Sequence, residues 1–319
     1  MPFASVQELW DGFNPAGFGE GIFMVFRGYI DESYSGEATP RMFGLTCTFT
    51  YGSEWSWIEM AWQKCLDEKN ISLKQQGRKT ISRYHSTHIN GFRGEFQDWD
   101  GVERQAFCEK LVKVFARHEI GFEGYLVDVR DLVEFWPEIK DDPLEMTYDV
   151  LHTFLMLEMG AGFHSQLPDS KITLFHERCP HDGVFLQSFN RMMEDPTFAY
   201  RQHFTTIAPM GWEDCIPLQP ADLMAYENFK EGLRQLPDEK PRERRKILSE
   251  IISLKSVGAH LKQIDRPTMV KLKGIYDAAA ERKRISELRK DSNGIAEGSS
   301  QRTENEIEQR KSNKKAEEI

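Results

Sequence analysis

Three acidic residues are the strongest candidates for chemistry in this sequence. Asp31 and Glu177 each close a segment with the composition of a strand, and Asp222 lies in the predicted first turn of an amphipathic helix. Each alone can have a purely structural role, because Asp is common in turns and is favoured in a first helical turn by the helix dipole. Three converging carboxylates would repel one another strongly unless cations lay between them. Mg²⁺ or Mn²⁺ is the expected cofactor, since hard ions prefer oxygen ligands.

Such a metal site would serve phosphoryl transfer. Two divalent ions about 4 Å apart can activate a water molecule and stabilise the leaving oxygen of a phosphodiester. Two competing signatures are absent, because the sequence contains neither a GxSxG nucleophile elbow nor a GxxxxGK[ST] phosphate loop. The acids therefore predict metal-dependent cleavage of a phosphoester, provided that the fold brings them together.

The stretch HERCPH at 176–181 offers an alternative metal chemistry. Its histidines are five residues apart and would not share one helical face, and Pro180 would interrupt a helix, so the stretch does not fit the zinc-protease helix. A zinc site formed by His176, Cys179 and His181 stays open. The simpler interpretation is a polar loop that follows a strand.

The elements that must position these residues alternate between strands and helices. Because the helices separate most of the strands, we expect an α/β fold whose sheet includes parallel pairs and is covered on both faces. The carboxyl ends of parallel strands form a crevice, in which acids from two strands can lie side by side. The predicted strands are 21–33, 42–51, 120–129, 171–177 and 203–209, and the predicted helices are 54–68, 101–118, 143–160, 181–195 and 220–236.

Length and composition indicate a globular protein with added terminal segments. The chain has 319 residues, of which 39% are apolar and 12% aromatic, enough for a sizeable core. The last 29 residues contain no aromatic residue, and we expect them to be disordered. The predicted parts are an N-terminal segment at 1–20, a main domain at 21–237 with a helical insertion at about 53–118, a basic helical extension at 238–290, and the tail at 291–319.

Charge and cysteine content narrow the class further. The formal net charge is 41 − 51 = −10, although residues 240–290 carry 15 basic and 6 acidic residues. The five cysteines include no CxxC pair, which argues against a disulfide framework and favours a reducing, cytoplasmic location. The longest apolar run, 22–26, is too short for the apolar part of a signal peptide or for a membrane span, so we expect neither.

Four segments carry a family resemblance. They are YIDES at 29–33, YHSTHINGFRGEFQDWD at 84–100, LFHE at 174–177 and PLQPADLMAYE at 217–227. Together they resemble the successive motifs of the bacterial domain-of-unknown-function family numbered 3800, over roughly residues 24–232. The resemblance implies a ribonuclease-H-like fold, a two-metal carboxylate site, and a nuclease or phosphoryl-transfer activity, which for the family is itself inferred from the fold.

The resemblance also implies roles for the acids. Asp31 would be the central bridging carboxylate, Glu177 the second metal ligand and Asp222 the third. The second-acid motif of the family often carries Asp where His176 stands, so Asp182 could replace or join Glu177 as a metal ligand.

Further residues around these acids are site candidates under the same resemblance. Glu32 would lie on the opposite face of its strand unless a bulge turned it inward, and Gln219 could contact substrate or metal-bound water. His85, together with His88, is a candidate for substrate contact or general acid catalysis, against the alternative of hydrogen bonds that anchor a loop. Tyr34 stands where the family usually has glycine and would narrow or line the mouth of the site.

The expected partner is nucleic acid, DNA or RNA, cut by a divalent-metal-dependent nuclease. One alternative is a catalytically inactive module that binds nucleic acid or protein, and a weaker one is a small-molecule phosphoesterase. The basic residues of 240–290 could follow phosphates, or could pack on an acidic partner chain or a second copy of this chain. The sequence does not distinguish these roles. The basic residues in question are Arg242, Arg244, Arg245, Lys246, Lys271, Lys273, Arg282, Lys283 and Arg284.

Overall fold

The structure is a computed structural model that describes residues 25–34, 40–236, 240, 242–278 and 280–282. The predicted segments at 1–20 and 291–319 lie outside the described residues, as do Lys283 and Arg284 of the predicted basic extension. The chain divides into two compact units, Met1–Ile264 and Asp265–Ile319. The candidate site residues all belong to the first unit.

The first unit is built on a six-stranded mixed sheet in the order β5-β4-β1-β2-β3-β6. Strand β2 runs antiparallel to its neighbours β1 and β3, β4 and β5 run parallel to β1, and β6 runs parallel to β3. The predicted α/β fold with a mixed sheet and parallel pairs is therefore confirmed. The strands are β1 (Val25–Tyr34), β2 (Met42–Tyr51), β3 (Ile120–Asp128), β4 (Lys171–Glu177), β5 (Phe204–Met210) and β6 (Val257–Gln263).

Helices cover both faces of this sheet. One face packs against the helical insertion between β2 and β3 and against α7 and α8, in a core that includes Tyr29, Trp55, Trp62 and Met224. The other face packs against α5 and α6. The helices are α1 (Gly52–Gln75), α2 (Ser86–Gly91), α3 (Gly101–Phe115), α4 (Val129–Phe135), α5 (Leu144–Gln166), α6 (Asp182–Glu194), α7 (Leu218–Gln235) and α8 (Lys246–Ser253).

Strand β2 is buried on both faces, although its alternation of threonines with apolar residues predicts a half-buried strand. Thr46, Thr48 and Thr50 are all buried. The hydroxyl of Thr46 is covered by α7, because the side-chain amide of Asn228 donates a hydrogen bond to it at 3.1 Å. A hydroxyl that is hydrogen-bonded in this way can be buried at little cost.

Helix α7 begins at Leu218, two residues before the predicted start. Pro217 precedes the helix with φ −57°, and Pro220 falls within the first turn, where a missing N–H costs nothing. Asp222 therefore lies in the second turn of α7, and the prediction of a first-turn position is wrong. Gly124 of β3 lets α7 approach the sheet closely, since a Cβ there would lie 2.6 Å from the Asn228 amide nitrogen.

The segment 238–290 differs from the prediction of a separate helical extension. Residues 246–264 belong to the first unit, where α8 is followed by the strand β6. β6 lies at the edge of the sheet, contains only one large aliphatic residue besides Val257, and has no fully buried residue. The described part of the second unit is helical at 266–278.

Among the described residues, no helix is both long enough and apolar enough to cross a membrane.

Candidate functional site

Strand pairing brings Asp31 and Glu177 together. Ile30 of β1 and His176 of β4 are paired in parallel register, so the residues that follow them are neighbours at the carboxyl ends of the two strands. Tyr29 and Phe175, two residues before each acid, stack with ring centroids 5.2 Å apart. Since side chains alternate along a strand, Asp31 and Glu177 lie on the same face of the sheet as these rings.

Helix α7 brings Asp222 to the same place. Its carboxylate oxygen Oδ2 accepts a hydrogen bond from the main-chain N–H of Ser86 at 2.8 Å and lies 3.2 Å from His85 Nδ1. Among the described residues, no group hydrogen-bonds Oδ1 of Asp222. One oxygen of this carboxylate thus fixes its orientation, and the other can accept a further ligand.

The electrostatics of the site match a cluster of converging carboxylates. Burial raises the pKa of Asp31 well above its usual range, and repulsion from Asp222, Glu32 and Glu177 raises it further. Asp31 is only 6% exposed. The three acids predicted to act together therefore interact at one site. A divalent cation bound between them would relieve the repulsion among their carboxylates.

Glu32 lies on the opposite face of β1, because the pairing of β1 with β2 continues without a bulge through this residue. Burial raises its pKa to about 7, a hydrogen bond from the Tyr148 hydroxyl of α5 partly offsets this, and repulsion from Glu177 adds to it. Glu32 thus borders the cluster at the end of the strand. Tyr34 also lies on this opposite face, where its ring stacks on Phe43 at 4.8 Å.

The helical insertion supplies the rim of the site. Arg83 contacts Glu177, with 3.3 Å between Nη1 and Oε1, and its guanidinium lies 4.1 Å from the centre of the Trp212 ring. The rings of His85 and His88 lie 4.4 Å apart. Burial lowers the pKa of His88, and the nearby His85 and Arg83 lower it further.

Arg83 and Trp212 could not be identified from the sequence. Neither lies in a strand or in a recognisable motif, and the two are 129 residues apart, so only the fold shows that they meet. The available signal was that Arg83 immediately precedes the segment YHSTH, which contains His85.

Gln219 is buried and anchors the insertion to α7. Its side-chain oxygen accepts hydrogen bonds from Trp62 Nε1 at 3.0 Å and from the main-chain N–H of Tyr84 at 2.8 Å. These contacts hold the segment that carries His85 against the helix that carries Asp222. The structure therefore gives Gln219 a positioning role, and a contact with substrate stays a prediction.

Asp182 belongs to a second group of side chains, on the face of β4 opposite Glu177. His176, Cys179 and Asp182 each offer a ligand atom, and these atoms all lie within 4.8 Å of one another. His181 is not part of this group, and its ring stacks on Tyr148 with centroids 4.6 Å apart. The alternative zinc trio of the sequence thus has one member replaced by Asp182.

Several cations of the basic segment are engaged within the first unit. Arg245 donates to Glu227 of α7 at 2.8 Å, Arg244 contacts Glu231 at 3.1 Å, and Lys246 contacts Glu109 at 2.5 Å. These ion pairs fasten α8 to α7 and α3. For these three side chains the structure gives an intramolecular role.

In comparisons with known proteins, no family model, curated protein or solved structure matches this chain. The resemblance of the sequence motifs to a known family therefore stays a prediction.

The donor set at the first site fits a hard divalent cation. It consists of carboxylates from two strand ends and one helix, and one oxygen of Asp222 has no hydrogen-bond partner among the described residues. Burial, and then the acidic neighbours, disfavour the ionised form of Asp31 and raise its pKa. Mg²⁺ and Mn²⁺ bind such oxygen donors and need few protein ligands. Asp31, Glu177 and Asp222 are the residues that would hold the ion.

Proposed function

We propose that this protein is a Mg²⁺- or Mn²⁺-dependent nuclease with a ribonuclease-H-like fold. The observation that carries the proposal is the convergence of Asp31, Glu177 and Asp222 at the carboxyl ends of β1 and β4, with the pKa of Asp31 raised by burial and by the other acids. The central position of β1, flanked by antiparallel β2 and parallel β4, supports the fold assignment. When bound, the divalent ions polarise the scissile phosphate and the attacking water.

The protein groups around the acids have separate tasks in this proposal. The carboxylates of Asp31, Glu177 and Asp222 hold the ions. Arg83 and the ring of Trp212 form a cationic and aromatic surface beside Glu177, suited to a phosphate and an adjacent base. His85, held by Asp222 Oδ2, can donate a proton to a leaving oxygen at the edge of the site.

Replacement of Asp31 should have opposite effects on metal binding and on the stability of the metal-free protein. We expect Asp31→Asn to abolish Mn²⁺ binding in a calorimetric titration and to lower cleavage of an oligonucleotide by at least about 100-fold, because several kcal/mol of charge stabilisation are lost. In the absence of metal, the same variant should unfold at the same or a higher temperature, since a buried, repelled carboxylate is removed.

Asp169→Asn is the matched control, because this exposed residue precedes β4 at the end of the strand opposite Glu177. It should leave Mn²⁺ binding and cleavage at the wild-type level. Unchanged Mn²⁺ affinity in Asp31→Asn, or a loss of folding in that variant, would remove the basis of the proposal.

A second candidate function is a nucleic-acid-binding module without catalysis. The ion pair of Arg83 with Glu177 favours it, because the guanidinium already neutralises one of the three acids. In that function, Arg83→Met would weaken nucleic-acid binding, and no metal would be needed. In a nuclease, the same variant would release Glu177 and would raise the affinity for Mn²⁺ while it weakened substrate binding.

A further inference from the structure

A second group of side chains that could bind a metal lies on the other face of the sheet. His176 is the sixth residue of β4, Cys179 lies in the loop that follows, and Asp182 is the first residue of α6. This short strand-to-helix connection brings an imidazole, a thiol and a carboxylate together, with their ligand atoms within 4.8 Å of one another. The donor set is nitrogen, sulfur and oxygen, unlike the all-oxygen set of Asp31, Glu177 and Asp222.

We propose that His176, Cys179 and Asp182 bind one zinc-class cation, with a water molecule in the fourth position. Zinc is coordinated by these three ligand types, at about 2.0–2.3 Å in a tetrahedron, so neighbouring ligand atoms lie about 3.5 Å apart. The imidazole Nδ1 of His176 lies 3.5 Å from Asp182 Oδ1, which already meets that spacing. Small movements of the thiol and carboxylate would complete the site.

Packing holds the ligands in place and leaves a route for the ion. The ring of His176 is 2% exposed and stacks on Phe185 of α6 with centroids 4.4 Å apart. The main-chain N–H of Cys179 donates to Asp182 Oδ1 at 2.9 Å, which fixes the loop against the start of the helix. The Asp182 side chain is 33% exposed, so the site opens to solvent on that side.

Binding has defined chemical consequences for these groups. The thiol of Cys179 releases its proton to solvent, and a thiolate–metal bond forms. Without metal, Nδ1 of His176 carries the ring proton and donates it to the main-chain oxygen of Glu177 at 3.0 Å. On binding, Nδ1 loses this proton to solvent and Nε2 takes one up, so that the ring stays neutral and Nδ1 can bind the metal. A borderline-soft ion gains most from the sulfur ligand, whereas Mg²⁺ would not select it.

Cobalt spectroscopy on the full chain tests this site without reference to activity. After removal of metals by a chelator, titration with Co²⁺ should produce a thiolate-to-cobalt charge-transfer band at one equivalent, and Zn²⁺ should erase it. Cys179→Ser should abolish the band. Asp182→Asn should weaken Zn²⁺ binding by at least about 10–100-fold, the cost of losing even an outer-shell partner.

Two control variants establish which residues give rise to the band. Cys65→Ser changes a cysteine of α1 and should leave the band intact. Asp31→Asn removes the central acid of the proposed nuclease site and should also leave the band intact, so the two site proposals are tested independently.

The variant Asp182→Asn keeps an oxygen that can accept the hydrogen bond from the Cys179 N–H, which preserves the fold of the loop. Lack of a band in folded wild-type protein, or its survival in Cys179→Ser, would overturn the proposal.

Discussion

The side chain of His152 is fully buried in α5, and neither ring nitrogen has a hydrogen-bond partner among the described residues. Burial lowers its pKa to about 3; Asp149 opposes this shift, and His176 and Arg191 add to it. The unfolded chain binds a proton here below about pH 6.5, whereas the folded protein stays unprotonated until about pH 3. The free energy of unfolding therefore falls as the pH is lowered through this window.

We expect His152→Leu to remove part of this acid sensitivity. Between pH 6.5 and pH 4, the free energy of unfolding of the wild type should fall relative to the variant by up to about 1.4 kcal/mol per pH unit. Urea denaturation at several pH values measures this slope. His164→Leu, at an exposed position on the same helix, is the control and should keep the wild-type slope. Equal slopes for wild type and His152→Leu would show that another group titrates.

The acids of the site could be predicted from sequence, but their supporting residues could not. Asp31 and Glu177 follow from strand composition and Asp222 from its place near a helix start, although one turn later than predicted, and all of these signals are local. Arg83 contacts Glu177 across 94 residues, and its position is determined by the insertion rather than by any local pattern. In the same way, Asp182 joins His176 because α6 begins at Asp182, whereas the sequence pattern predicts that boundary one residue earlier.

At the level of elements, one ion pair with a buried carboxylate and a partly exposed guanidinium fastens α8 to the rest of the first unit. Arg245 precedes α8, donates to Glu227 of α7 at 2.8 Å and reaches Asn90 Oδ1 of α2 at 2.8 Å. Glu227 is 2% exposed. Burial raises its pKa, and Arg245 partly reverses that shift. Removal of the cation leaves a buried carboxylate without its charge partner.

We expect Arg245→Met to destabilise the protein by about 3 kcal/mol, the lower end of the range for loss of one partner of a buried ion pair. Guanidinium denaturation provides the measurement. Lys246→Met is the neighbouring control, because the Lys246 side chain is 65% exposed and its contact with Glu109 is at the surface. It should change stability little. Similar losses in both variants would contradict the distinction between a buried and an exposed pair.

Elements with strong composition signals were predictable, and weakly patterned ones were not. The bounds of β2 and β4 match the predicted 42–51 and 171–177, because β-branched and aromatic residues fill both strands. The sequence predicts no strand at β6, because VGAHLKQ has only two large apolar residues and no aromatic one, and lies in a basic segment. Helix α1 ends at Gln75, whereas the sequence predicts an end at 68. The prediction stops early because the last two turns are mostly polar and do not continue the apolar spacing of the helix.

At the scale of the whole molecule, the charge balance shapes the proposed interaction with nucleic acid. The chain has a net charge of −10, and Arg244, Arg245 and Lys246 are paired with acids of the first unit. Non-specific attraction to phosphates needs unpaired cations. The affinity should therefore depend more on divalent ions bridging the acids to the phosphates than on the protein's own basic residues.

We expect fluorescence anisotropy with a labelled oligonucleotide to detect binding in Ca²⁺ or Mg²⁺ and a decrease of at least about tenfold in a chelator. The salt dependence in divalent ions should be shallow, because few counterions are released. Asp31→Asn serves as the control for site-directed binding and should behave in Mg²⁺ as the wild type does in chelator. Equal affinity with and without divalent ions would favour the binding module over the nuclease.

The parallel pairing of β6 with β3 has a consequence for how this protein is made. The two strands are paired from Ile120 with Val257 to Leu126 with Gln263. A chain emerging from the ribosome therefore completes β1 to β5 while β3 still exposes its unpaired backbone edge, which is a template for association with other chains. Nascent or truncated chains that end before Val257 should consequently be far more prone to aggregate than the finished protein.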